Sequence, residues 1–395
     1  FQAILKVLRA YHYSALIKSR SFLRNQAVPM TGTAHSTRDG VSGALKTSLS
    51  DIAGSHSKEF GMAKQTRRKI SLALQGGGAH GAYTWGVLDR LAEEENLEIA
   101  AMSATSAGAM NAVAWADGMA EHGPEGAKAK LEAMWRSVSQ SGSNMAPYGA
   151  LSTMAFAYAS ALQSLASPYD LNPFNLNPLR RSVESVIDFE AVHESGILLF
   201  LSATNVETGR VRVFERGEIT ADAVLASACL PQTFQAVEID GSAYWDGGYM
   251  GNPSLFPLIY SGAPRDVLLV MLNPLARPGI PKRAAEIQER INEISFNASL
   301  VGELRAIAFV QHLIDDGMLK ETVMKKYRRL NIHAIRGGQD LIDLDLRTKM
   351  DTSWHFLTGL RDQGRAAADN WLRNDAHHIG TKKSNLDLRA EFLDS

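Results

Sequence analysis

The segment Gln75-Gly76-Gly77-Gly78-Ala79-His80-Gly81 joins a short apolar run, Ile70 to Leu74, to an amphipathic helical pattern. Three glycines there free a row of backbone N–H groups at the start of a helix, where negative charge is favoured. The loop therefore reads as a cradle for a phosphate or an oxyanion, or as a tight structural turn. No Gly-Lys-Ser/Thr follows it, and the spacing and the lack of a second-strand acid do not fit a dinucleotide site. Ser106 lies twenty-eight residues after Gly78, in Ala104-Thr105-Ser106-Ala107-Gly108. A serine at the apex of a strand-turn-helix elbow needs small neighbours, and Ala104 and Gly108 meet that need; a helix N-cap at Ser106 is the competing reading. In Tyr244-Trp245-Asp246-Gly247-Gly248, Asp246 offers a carboxylate on an open backbone, or else marks a plain Asp-Gly turn. Together the three segments hold the parts of an acyl-transfer site: oxyanion donors, a nucleophile and a base.

A histidine could complete a different arrangement, because the order Ser106, Asp246, later His suits a hydrolase triad. His333, His355, His377 and His378 lie downstream. His333 interrupts a strand-like run and reads as a core or strand-edge residue, while His377 and His378 fall in a polar tail. His355, between Trp354 and Phe356, is the most plausible third member. No grouping of His, Asp or Glu has metal-ligand spacing, so neither a metal nor another cofactor is implied. Cys229 is the single cysteine, which excludes an intramolecular disulfide framework and fits a reducing compartment.

Positioning these residues calls for strand-like runs alternating with helical ones, the pattern of a mostly parallel sheet covered on both faces. Strands are predicted near 70–74, 99–105, 197–204, 210–214, 266–272 and 331–335, with helices over about 80–94, 107–118 and 125–139. Residues 141–180, punctuated by Ser, Asn and Pro around an apolar stretch at 151–166, read as a cap or lid. From Lys282 to about Leu319, Ile287, Ile291, Ile294, Ala298, Val301, Leu304 and Ala308 recur at three and four, which predicts a long helix packed on the sheet, with contact to a partner or to lipid as the alternatives. The tail from Asp351 reads as helical and polar, with no structure assigned to its last dozen residues.

With 395 residues and 45% hydrophobic content the chain can bury a large core. Its net charge of -1 is uneven: residues 1–61 hold eight Lys/Arg against three Asp/Glu, +5, which leaves -6 for 62–395. A mildly acidic body argues against nucleic acid as a partner. The first 61 residues read as a basic leader or disordered tail, or as an addition to the native chain. Met62 has the look of a natural start, and a targeting peptide at Phe1 to Phe22 is the lesser alternative. No segment reaches the roughly 18–20 apolar residues of a membrane span. The expectation is a cytoplasmic chain that does not cross a membrane, with peripheral membrane contact left open. Lys325, Lys326, Arg328 and Arg329 form a solvated helix end or a contact for anionic headgroups.

The glycine loop, the Ser106 elbow, Ala226-Ser227-Ala228-Cys229-Leu230-Pro231 and the Asp246-Gly247-Gly248 motif, in this order, resemble the patatin-like phospholipases over about Lys69 to Leu258. The resemblance implies a three-layer α/β/α fold over about 62–275, with a mostly parallel central sheet and a helix-rich C-terminal extension over 276–395. It implies hydrolysis of carboxylic esters of lipids by a Ser106–Asp246 dyad without histidine. Gly76, Gly77, Gly78 and Ala107 would form the oxyanion hole, with Gly247 and Gly248 as the supporting loop. The family commonly has Arg or Lys where this chain has His80, a departure from its pattern. Hydrolysis of small soluble or polyester substrates, and a silent lipid-binding or interaction protein, are the other functions compatible with these residues.

Overall fold

Arg68–Leu74 (β1) becomes buried from Ile70 onward, and neighbouring side chains point to opposite faces: Ile70, Leu72 and Leu74 join one apolar cluster and Ala73 the other. A strand apolar on both faces belongs in the middle of a covered sheet. The computed structural model, which describes residues 67–143, 166–320, 329–344 and 346–394, places it there. The leader at 1–61, most of the segment read as a lid, and Lys325, Lys326 and Arg328 lie outside the described residues.

Parallel ladders join β1 to Leu97–Ala104 (β2) and to Asp266–Met271 (β7), β2 to Leu198–Asn205 (β3), and β7 to Asn331–Arg336 (β8). Val211–Glu215 (β4) and Ser242–Asp246 (β6) pair antiparallel with β3, and Val237–Ile239 (β5) with β6. The eight-stranded sheet runs β5-β6-β3-β2-β1-β7-β8, with β4 on β3. Every strand expected from the sequence is present. The β5–β6 hairpin turns at Asp240-Gly241, both at positive φ (51° and 74°), so this Asp-Gly is a hairpin turn while the one at 246–247 is not.

One face is covered by Gly81–Leu91 (α1), Ala107–Ser143 (α2), Pro178–Val186 (α3), Phe189–Glu194 (α4) and Ala221–Ser227 (α5). Phe256–Tyr260 (α6) and Ala284–Asp315 (α7) cover the other. Trp354–Asn374 (α8) packs on α1, and Leu388–Phe392 (α9) on α7. Nine of the eleven α1 residues are buried, as befits a helix sandwiched between sheet and α8. Full burial of a side chain such as Leu72 or Leu88 contributes about 1.5–3 kcal/mol. His122 and Gly123 leave helical geometry just before Pro124, so α2 is two helices with a break, near the two expected segments.

Two expectations need correction. Only the second half of α7 packs on the sheet, through Leu300, Leu304, Ile307 and Ala308. Ile287, Ile291 and Ile294 are 42%, 50% and 55% exposed, because a helix of 32 residues, about 48 Å long, outruns the sheet. Residues 384–394, to which the sequence assigned no structure, also pack on the fold: Asp387 caps α9, and Leu386, Leu388 and Phe392 are buried in the second core.

Candidate active site

β2 runs into Ser106, and α2 leaves it. Ser106 has φ 56°, the left-handed region that a non-glycine side chain enters only under constraint. Its neighbours supply that constraint. Thr105 Oγ1 donates to Gly251 O (2.6 Å), and Ser106 N donates to Ser227 Oγ (2.9 Å), which in turn donates to Ser202 O (2.7 Å). At Gly108 a Cβ would lie 2.5 Å from Leu74 O, so a small residue is required where helix and β1 converge. An N-cap serine sits in extended backbone, whereas Ser106 does not, and among the described residues its hydroxyl takes no amide of α2. Ala104 is buried in the sheet core.

Asp246 ends β6. Its backbone is pinned on both sides, with N donating to Cys229 O (2.7 Å) and O accepting from Thr204 Oγ1 (2.8 Å). The carboxylate is 1% exposed; Oδ1 accepts from Gly248 N (2.7 Å), and buried Oδ2 has no partner in ordinary hydrogen-bond geometry among the described residues. Burial raises its pKa from 3.8 to about 6, opposed by the Gly248 N–H and then by the Ser106 hydroxyl. The Ser106 hydroxyl is thus near enough to influence the carboxylate without an ordinary hydrogen bond to it. Gly247 is needed because a Cβ there would lie 2.0 Å from Ser202 O; at Gly248 it would meet the Phe296 ring of α7 at 2.3 Å.

The glycine loop is held by an amide network. All four hydrogen-bonding positions of the fully buried Gln75 side chain are used. Nε2 donates to Asn252 O (3.3 Å) and Asn297 Oδ1 (3.1 Å), and Oε1 accepts from Leu272 N (2.8 Å) and Asn273 N (3.0 Å). Gly76 N donates to Asn252 Oδ1 (2.7 Å) and Gly76 O accepts from Asn273 Nδ2 (3.0 Å). This corrects the reading of Gly76 as an oxyanion donor, since its N–H is already spent. Its contribution is closeness: a Cβ at Gly76 would lie 2.7 Å from Ser106 Cβ. The amides of Gly77, Gly78 and Ala107 have no acceptor among the described residues, and Gly78 is exposed at the loop's tip.

Among the described residues no histidine is hydrogen-bonded to Ser106 or Asp246. His333 is a buried residue of β8 with Nε2 3.1 Å from Asp266 Oδ1, His377 and His378 contact each other, and His355 is exposed on α8. His80 is buried with Nε2 2.7 Å from Thr348 Oγ1, and burial followed by the charge of Lys349 pushes its pKa down to about 3. Cys229 is buried beside Asp246, and its thiol is pushed up to about 12 by burial and then by that carboxylate. Asn252, Asn273, Asn297 and Lys349 carried no motif. Both Asn252-Pro253 and Asn273-Pro274 read simply as turn dipeptides.

No curated protein matches the sequence. Among solved structures, VipD from Legionella pneumophila is 14% identical, with 78% of this chain and 67% of that one covered and a TM-score of 0.39. ExoU, solved in complex with SpcU from the type III secretion system of Pseudomonas aeruginosa, is 17% identical with coverages of 80% and 73% and a TM-score of 0.27. Residues 72–259 match the family model for patatin-like phospholipases. That match spans the glycine loop, the Ser106 elbow and the Asp246 motif, so the chain carries a patatin-like phospholipase domain, the domain of a lipid-hydrolase family.

Proposed function

We propose that the protein is a serine acyl hydrolase that cleaves carboxylic esters of lipids with Ser106 and Asp246 as a dyad. The observation that carries this reading is the pairing of a strained serine with a buried carboxylate whose Oδ2 is unpartnered and whose pKa lies near the working range. As Ser106 Oγ bonds to the ester carbonyl carbon, Asp246 Oδ2 accepts its proton and the carbonyl electron pair moves onto oxygen. The N–H groups of Gly77, Gly78 and Ala107 hold that oxyanion. Collapse breaks the carbon–alkoxy bond, and the leaving oxygen takes the proton from Asp246. Water then attacks the acyl-enzyme, Asp246 removes its proton, and Ser106 Oγ departs and recovers it.

A lipid substrate is favoured by the apolar rim beside the site. Gln235 Nε2 donates to Asn172 O and Ala236 N to Tyr169 OH, which ties the 168–176 segment to the strand-approach loop whose Gln232 touches Tyr249. On this segment Phe174 is 85% exposed and Leu176 71%, and Met250, just past Asp246, is also exposed. Such a patch suits contact with a lipid surface. Among the described residues no helix is long and apolar enough to cross a membrane.

The pH profile tests the base assignment. Only ionised Asp246 accepts the serine proton, so kcat/KM on a lipid ester is expected to rise tenfold per pH unit below an apparent pKa of about 6 and to level off above it. The rate should increase further when the ester passes from monomer to micelle. An acid limb near 4 would contradict the buried-carboxylate base, and equal rates on monomers and micelles would favour soluble esters.

A further inference from the structure

The charge behind the oxyanion loop comes from a residue far away in sequence. Residues Leu346–Met350 form a short 3-10 turn over the loop: Lys349 O lies 2.5 Å from where a Cβ of Gly78 would stand, and Thr348 contacts His80. Lys349 Nζ donates to Asn273 Oδ1 (2.8 Å), and Asn273 Nδ2 donates to Gly76 O (3.0 Å). Gly76 O and Gly77 N belong to the same peptide unit. A cation at one end of this chain of hydrogen bonds therefore polarises the Gly77 N–H at the other, since linked hydrogen bonds strengthen one another at low local dielectric. His80, the ionisable side chain within the loop, is neutral at working pH.

We propose that Lys349 is the positioning residue of the oxyanion loop, supplying through Asn273 and the Gly76 carbonyl the positive charge that makes Gly77 N–H a stronger donor to the transition state. This rests on the acyl-hydrolase reading. The charged groups around the ammonium are Glu289 and Glu293 of α7, which favour its charged form, and Arg277, which opposes it; burial is the largest influence and lowers its pKa. Glu293 is itself held by Arg277 (2.7 Å) and Arg290 (3.0 Å), so it does not draw the ammonium away from Asn273.

The test is steady-state hydrolysis of a lipid ester by wild type, Lys349→Met and Lys349→Arg, with binding of a trifluoromethyl ketone, which forms the oxyanion adduct. Lys349→Met is expected to lower kcat about 10- to 100-fold, somewhat less than loss of a direct oxyanion donor, with KM changed by less than about twofold. Ketone affinity should fall in proportion, and Lys349→Arg should recover most of kcat. The pH profile provides a second readout that does not depend on the Met variant folding. Wild type should lose activity on the alkaline side below the ordinary lysine range, and Lys349→Arg should lack that limb. Unchanged kcat in Lys349→Met, a change confined to KM, or an alkaline limb shared by wild type and Lys349→Arg would each overturn the proposal. Failure of wild type to hydrolyse any ester would instead overturn the underlying reading, so the two failures are distinguishable.

Discussion

Asp246→Asn is expected to remove ester hydrolysis, by about 10³- to 10⁴-fold in kcat, and at the same time to stabilise the fold. The activity loss follows from removing the base while leaving the shape intact. The stability gain follows from linkage. Raising a carboxyl pKa from 3.8 to about 6 means the folded state favours the protonated form by about 3 kcal/mol. That contribution is fully present below pH 3.8 and is lost as pH rises through 6, so at pH 7 to 8 the ionised wild type bears the whole cost. The amide is neutral and keeps an acceptor for Gly248 N. At pH 8 the variant should therefore unfold at higher temperature, by a few degrees for a gain of about 1–3 kcal/mol. The difference should shrink toward zero near pH 4. A variant less stable than wild type at pH 8, or a gain that persists unchanged at pH 4, would contradict the assignment of Asp246 as a desolvated base.

Gly86→Val should produce the largest loss of stability among single changes outside the site. α1 and α8 cross backbone to backbone: a Cβ at Gly86 would lie 1.9 Å from Arg361 O, and one at Gly364 2.0 Å from Tyr83 O. Around this contact Trp85 packs on Trp354 (5.8 Å between rings), Arg361 sits 5.1 Å from the Trp85 ring, and Arg90 pairs with Asp369 (3.2 Å). A valine there must push the helices apart and open that packing, at a cost of at least about 3 kcal/mol, since neither backbone is free to yield. A drop in Tm on the order of 5–10 °C is expected by thermal unfolding. Gly359→Ala on α8, the partner helix, is the control. Nothing lies within 4 Å of a Cβ there, so it should be neutral or stabilising by up to about 1 kcal/mol. Equal Tm values for Gly86→Val and wild type would show that the close crossing is not a stabilising contact.

How much of this was legible in the sequence depended on the range of the interaction. β1, β2, β3 and β7 announce themselves because strands buried on both faces must be apolar runs, and glycine and serine punctuate their ends. The Ser106 elbow and the Asp246 motif are local patterns, but each had an ordinary competing reading. A positive φ at Ser106 and an Asp246 Oδ2 without a partner among the described residues favour the catalytic readings, and neither is a property of composition. The amide network that holds the glycine loop was illegible for a different reason. Gln75 meets Asn252, Asn273 and Asn297 across 177, 198 and 222 positions, and asparagine beside proline signals a turn wherever it falls. Lys349 was similarly hidden, because a lone lysine on a polar stretch reads as surface until the fold encloses it. The outward Ile287, Ile291 and Ile294 show the converse limit: periodicity reports an apolar stripe without reporting what lies opposite it.

The central claim is that Ser106 is an activated nucleophile served by Asp246, and intact mass after incubation with a fluorophosphonate ester tests it most directly. Wild type is expected to gain one phosphonyl adduct, Ser106→Ala none, and Asp246→Asn the same adduct at a rate lower by at least about 10²-fold. An adduct that persists in Ser106→Ala, or labelling of Asp246→Asn at the wild-type rate, would contradict the account.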